Sequence, residues 1–114
     1  MIRNFYEMEP RLQANCHRGE GTVRIVNIFD KFDTAMQFFH YTVLPPGASI
    51  GLHKHKDDEE FYVVLKGDGE MEVDGTKQAV TAGSVIKNNP FGIHGLRNIS
   101  DTEDLELLVF EVKN

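Results

Sequence analysis

The sequence predicts an all-β domain, a sandwich or closed barrel of short strands. Its apolar stretches are brief, β-branched and partly alternating. Clusters of Gly, Pro, Asn and Asp interrupt them at roughly 8–12-residue spacing. No stretch carries a sustained helical period, since Leu12 to Cys16 is too short to matter.

In chain order, Met1 to Gly21 has weak periodicity and reads as an arm leading into a single barrel domain, Thr22 to Asn114. Thr22 to Phe29 is β-branched and gives the first strand. Lys31 to Thr34 turns the chain into Ala35 to Leu44, which Pro45-Pro46-Gly47 ends because proline donates nothing to a sheet ladder. Glu60 to Lys66 is the strongest strand signal; Gly67-Asp68-Gly69 breaks it, and Glu70 to Val73 continues. Asp74-Gly75 has the chemistry of a hairpin turn with positive φ, so Lys77 to Thr81 returns antiparallel. Ser84 to Lys87, Ile93 to Asn98 and Leu105 to Val112 complete eight or nine strands, with Asn88 to Gly92 a loop rich in turn residues.

At 114 residues one domain with one core is expected. Twelve Lys and Arg against eighteen Asp and Glu give a net charge of −6, and the basic residues are scattered singly. A phosphate backbone or an anionic lipid surface would be repelled, so neither nucleic acid nor membrane is expected as a partner. One cysteine, Cys16, forbids an intrachain disulfide and suits a cytoplasmic chain; no stretch has the length or character of a signal peptide or membrane span. Cys16 reads as an incidental or structural thiol.

Chemistry concentrates in one half of the chain. His53 and His55 are two apart, and residues i and i+2 of a strand share a face, so both imidazoles can converge on one ion while Lys54 points away. The bland alternative is a pair of surface histidines. Asp57 and Asp58 read as a solvated acidic turn. Glu60 differs, because it opens an apolar strand and a carboxylate there needs a partner.

The run Gly47-x5-His53-x-His55-x4-Glu60-x6-Gly67 resembles the first motif of the cupin family, and the count back from Gly67 selects Glu60 over Glu59. Gly83, His94 and Asn98 keep the spacing of the second cupin motif, with Pro90 and Gly92 each one position late. The resemblance spans about Thr22 to Val112 and implies a double-stranded β-helix, or jelly-roll barrel. It also implies that His53, His55, Glu60 and His94 are the metal ligands. Three imidazoles and one carboxylate suit Mn, Fe, Ni, Co or Zn as the divalent ion, and an octahedral ion would keep two open positions.

Within cupins, Leu44 to His55 is similar to small oxalate-decarboxylase-like monocupins, but Ser49 to Leu52 lacks the arginine that the decarboxylases carry just before His-x-His. The implied function is a metalloenzyme acting on a small oxygen-rich anion (a carboxylate, sugar acid or diketone). A non-catalytic metal or small-ligand binding module is the alternative. The enzyme reading covers a decarboxylase, dioxygenase or isomerase. Parity from Glu60 puts Tyr62 and Val64 on the ligand's face, so Tyr62 is either a pocket hydroxyl or core packing; His40 lines the pocket or sits outside. The family implies a homodimer, to which the arm would contribute by adding to a neighbour's sheet edge.

Overall fold

The computed structural model describes residues 1–114. Ten strands form two antiparallel sheets: β1 (Arg11–Ala14), β2 (Thr22–Asn27), β3 (Met36–Leu44), β4 (Ser49–Lys54), β5 (Asp58–Lys66), β6 (Asp68–Val73), β7 (Thr76–Thr81), β8 (Val85–Asn88), β9 (Ile93–Asn98) and β10 (Leu105–Lys113). The larger sheet runs β1-β2-β3-β10-β5-β8 and the smaller β4-β9-β6-β7. This is the jelly-roll arrangement expected of the sequence.

Alternation builds the core. Tyr62 and Val64 of β5, Leu105, Leu107 and Val109 of β10, and Val23 and Ile25 of β2 point inward from the large sheet. They meet Ile50, Met71, Val80 and Leu96 of the small one. Each such side chain contributes roughly 1.5–3 kcal/mol by leaving water. The chain passes between sheets at Gly67, where φ is +95° and any Cβ would collide with the Asp104 carbonyl. Only glycine makes that corner. At the opposite hairpin, Asp74 and Gly75 have φ of 47° and 86°, the turn their sequence predicts.

Two boundaries differ instructively. β5 starts at Asp58 rather than Glu60, because Asp58 and Glu59 pair with Lys113 and Val112 of β10. Asn88, read as loop, ends β8 opposite Glu60 and is 1% exposed.

The arm is more ordered than its periodicity suggests. Arg11–Ala14 pairs antiparallel with β2 of its own chain, Arg11 opposite Ile25 and Gln13 opposite Val23. Before it, Phe5 and Met8 pack on the outer face of the large sheet over Val26, Ile28, Tyr41 and Val43. After it, Asn15, His17 and Arg18 take positive φ in a tight turn whose backbone lies against β4. There Gly19 faces Ser49 and Gly51 so closely that neither glycine has room for a Cβ.

Candidate metal centre

The two sheets each supply part of one polar cluster. In the small sheet, His53 of β4 is directly opposite His94 of β9, and the β4 ladder slips register between Ile50 and His53. Such an irregularity re-aims the side chain that follows it. His55 lies just beyond β4 and is held by its N–H, which donates to the Gly92 carbonyl at 2.9 Å. In the large sheet, Glu60 stands between Asn88 on one side and Glu111 on the other.

The four residues His53, His55, Glu60 and His94 thus come together, each offering a ligand atom within 4.8 Å of the others. All but His53 are buried; Lys54, between the two histidines, is exposed. His94 Nε2 lies 2.8 Å from Glu60 Oε1, and His55 Nε2 lies 3.2 Å from the same oxygen. The rings of His55 and His94 stack with centroids 4.5 Å apart.

Neighbours orient the imidazoles. His53 Nδ1 donates to the Gly51 carbonyl at 2.8 Å, which leaves its Nε2 lone pair free. His55 Nδ1 faces Asp58 Oδ1 at 2.7 Å and Glu111 Oε1 at 3.2 Å. Asp58 is therefore not the solvated turn residue its surroundings in sequence suggest: its side chain is 16% exposed and carries a specific partner.

Electrostatics follow from these contacts. The carboxylates close to it, Glu111 first and then Glu60, push the His55 imidazolium up to about 10, against burial. Burial raises the Glu60 carboxyl, but the close imidazoles of His55 and His94 overcome it and hold the group at about 2. Burial first, with His17 and His94 beside it, pushes His53 down to about 4. Without an ion, a proton on His55 neutralises the carboxylate that would otherwise face a cation.

Unmade hydrogen bonds provide a test of fit to a metal. His55 Nε2 is buried without hydrogen-bond geometry to Glu60 despite its closeness, and His94 Nδ1 has no partner. Neither amide atom of Asn88, beside Glu60, has one either. Buried polar groups are nearly always satisfied, so this concentration of orphans fits a place that could receive a polar guest. Nitrogen and oxygen donors without thiolate fit a divalent transition ion.

A cavity of about 340 Å³ reaches the cluster from the surface. His40 and Tyr62 both border it. His40 is half-buried and held at about 4, by burial first and then by the charge of Arg11. Tyr62 is 2% exposed, with its ring edge toward His94 at 5.6 Å, and burial drives its hydroxyl well above the usual range. Cys16 is a buried core residue that also meets the cavity.

Nothing in the local sequence marks Asp58, Asn88 and Glu111 as neighbours of the ligands, or Arg11, Gln13 and His17 as part of the cavity wall. His17 stacks on His53 with centroids 3.7 Å apart. Each depends on register or on chain crossing. For Asn88 and Glu111 the usable signal was position opposite Glu60, and that requires knowing which strands pair.

Comparison with known proteins agrees with this architecture. Residues 40–111 match the family model described as Cupin_2, cupin domain. A Thermotoga maritima protein named oxalate-binding protein is 32% identical over 110 residues, covering 95% of this chain and 90% of the relative. A crystal structure from the same organism, described as that of a predicted oxalate decarboxylase, superposes with a TM-score of 0.96 at 30% identity, over 100% of both chains. A Cupin 2 conserved barrel domain protein from Salinispora arenicola shares the fold alone, with a TM-score of 0.75 at 21% identity over 99% of this chain and 88% of its own. By its motifs, its barrel and the match over most of its length, the chain belongs to the cupin family.

Proposed function

We propose that this cupin binds one divalent transition metal through His53, His55, Glu60 and His94. In the adjoining cavity it holds and transforms a small oxygen-rich anion, oxalate or a near relative. The observation that carries this is the convergence of four ligand atoms within 4.8 Å at a cavity of about 340 Å³, beside the unpartnered amide of Asn88. The metal, when bound, supplies Lewis acidity toward an oxygen ligand. The chain's own groups do the rest. Gly51, Asp58 and Glu111 orient the imidazoles, and the Tyr62 hydroxyl stays protonated. The oxalate-binding name of the Thermotoga relative supports the ligand class.

That same name favours a second reading, binding without turnover. Elemental analysis of the purified chain should find about one divalent ion per chain, lost in His53→Ala and His94→Ala; unchanged metal content in both variants removes the reading. Calorimetric titration with oxalate, followed by assays for carbon dioxide release and oxygen consumption, separates the two roles, since binding without turnover selects the second.

We also propose a cytoplasmic homodimer. The free Cys16 supports the compartment. The half-buried stack of Phe39, Phe110 and Phe61 on the outer face of the large sheet supports self-association, with centroids 5.4 and 5.0 Å apart along it. The same preparation should sediment as a dimer, and a monomer at micromolar concentration overturns that part.

A further inference from the structure

The arm's edge strand is patterned backwards. In β1 the polar Arg11 and Gln13 lie opposite Ile25 and Val23, which belong to the inner core, and both border the cavity. The apolar Leu12 between them faces solvent and is 69% exposed. A strand that sends its polar residues inward at the cost of exposing a leucine is serving the cavity rather than the core.

Arg11 is also unpaired. The chain carries eighteen acidic residues, yet no carboxylate lies within salt-bridge distance of this guanidinium. Its partner is neutral: Nη1 donates to Gln13 Oε1 at 3.0 Å. That contact leaves most of the guanidinium donors, and the Gln13 amide N–H groups, without partners inside the chain. The charge of Arg11 nevertheless reaches into the cavity, where it disfavours protonation of His40.

The other end of the cavity is rich in carboxylates. Asp58, Glu60 and Glu111 surround His55 there. An anion approaching that end meets negative charge that one ion offsets only in part, so a fixed cation elsewhere on the wall is what makes entry favourable. Lys54 and Lys56 border the cavity too, exposed as Arg11 is, but each presents a single ammonium. A guanidinium presents a planar fork that matches the two oxygens of a carboxylate. The stretch Ser49 to Leu52 before His53 offers no arginine, so the arm is where such a fork comes from.

We propose that Arg11, braced by Gln13, is the carboxylate-docking group of this cavity and makes it prefer dianions over monoanions. One carboxylate of the guest lies toward the His/Glu cluster, and the guanidinium receives the oxygens at its other end. The proposal rests on the reading that the cavity takes a small oxygen-rich anion beside a metal, and it adds the residue that sets the charge of that anion.

The test is calorimetric titration of the Mn²⁺-loaded chain with sodium oxalate and with sodium glycolate, which lacks the second carboxylate. Arg11→Ala should raise the oxalate Kd about tenfold or more, as expected for losing a charge-assisted pair. The glycolate Kd should move by less than about threefold, with metal content and Tm unchanged. Arg11→Lys should recover part of the oxalate affinity, and Lys56→Ala should change it by less than about twofold. If Arg11→Ala fails to fold, Arg11→Gln supplies the same comparison. An oxalate Kd within about twofold of wild type in the neutral Arg11 variant overturns the proposal alone, as does an equal loss in Lys56→Ala. Wild-type chain that retains metal but binds neither anion overturns the proposal together with the reading beneath it.

Discussion

The two ends of the cavity are built by opposite means. At the inner end, His94 and Glu60 sit on strands paired on both sides and His53 on the edge strand β4, and their positions follow from register: His53 against His94, Glu60 between Asn88 and Glu111. At the outer end, Arg11 and Gln13 ride on a four-residue edge strand paired on one side only. At the inner end His55, Glu60 and His94 are buried against one another, whereas Arg11 is exposed and holds a single neutral partner. A site that must keep an ion needs fixed donors. A site that must admit and release an anion benefits from a wall that gives way more cheaply.

The contrast can be broken most severely at Glu60. Its carboxylate serves His55 and His94 together, and both it and His55 have side chains only 7% exposed. Glu60→Ala in the metal-free chain should cost about 3–5 kcal/mol in urea unfolding, the penalty for stranding a buried charge. An equivalent loss from Arg11→Ala would erase the distinction between the ends.

The pH profile of metal-free stability tests the same contrast more gently. His55 is raised from 6.5 to about 10, so its contribution is complete below 6.5 and is lost as pH climbs toward 10. Glu60 is depressed from 4.5 to about 2, so its contribution is complete above 4.5 and is lost as pH falls toward 2. His53 and His40, each lowered from 6.5 to about 4, resist protonation when folded and so weaken the fold as pH falls from 6.5 toward 4. Stability in thermal melts should therefore peak near pH 6.5 and decline on both sides. A profile flat from pH 6.5 to 10 would contradict the His55–Glu60–Glu111 arrangement. Saturating metal should remove most of the alkaline decline, because an ion would take the place of the His55 proton.

A smaller effect is expected one step out from the ligands. Asp58→Asn keeps the shape but removes the negative charge that orients His55 Nδ1. Metal affinity measured by chelator competition should fall about 10–100-fold, with little change in unfolding free energy. An unchanged affinity would mean that Glu111 alone suffices.

At the inner end His53, His55 and Glu60 were legible through short-range spacing, whereas His94, far along the chain, was reached only through the resemblance to the second cupin motif. His-x-His needs only strand parity, and Glu60 declared itself as a carboxylate opening an apolar strand. Tyr62 and Val64 followed from the same parity and are indeed buried on that face. The outer end was illegible for the same physical reason in reverse. Pattern recognition looks for apolar residues facing inward, and in β1 the inward residues are Arg11 and Gln13. Asp58 was misjudged because four acids in a row look solvated, although pairing with Lys113 on β10 turns its side chain toward His55. Asn88 and Glu111 needed the cross-strand register, which local sequence does not contain.

The contact between Gly19 and Gly51 carries one more consequence. At these two glycines no side chain separates the arm's turn from β4, and the Gly51 carbonyl is the acceptor that steers His53. A one-residue slip of the arm would drive a Cβ into backbone, so β1 has a single seat and Arg11 a single address. The two glycines work as a keyway: beside the paired Glu20–Ser49 hydrogen bonds, they index the part of the molecule that meets the anion against the part that would hold the metal.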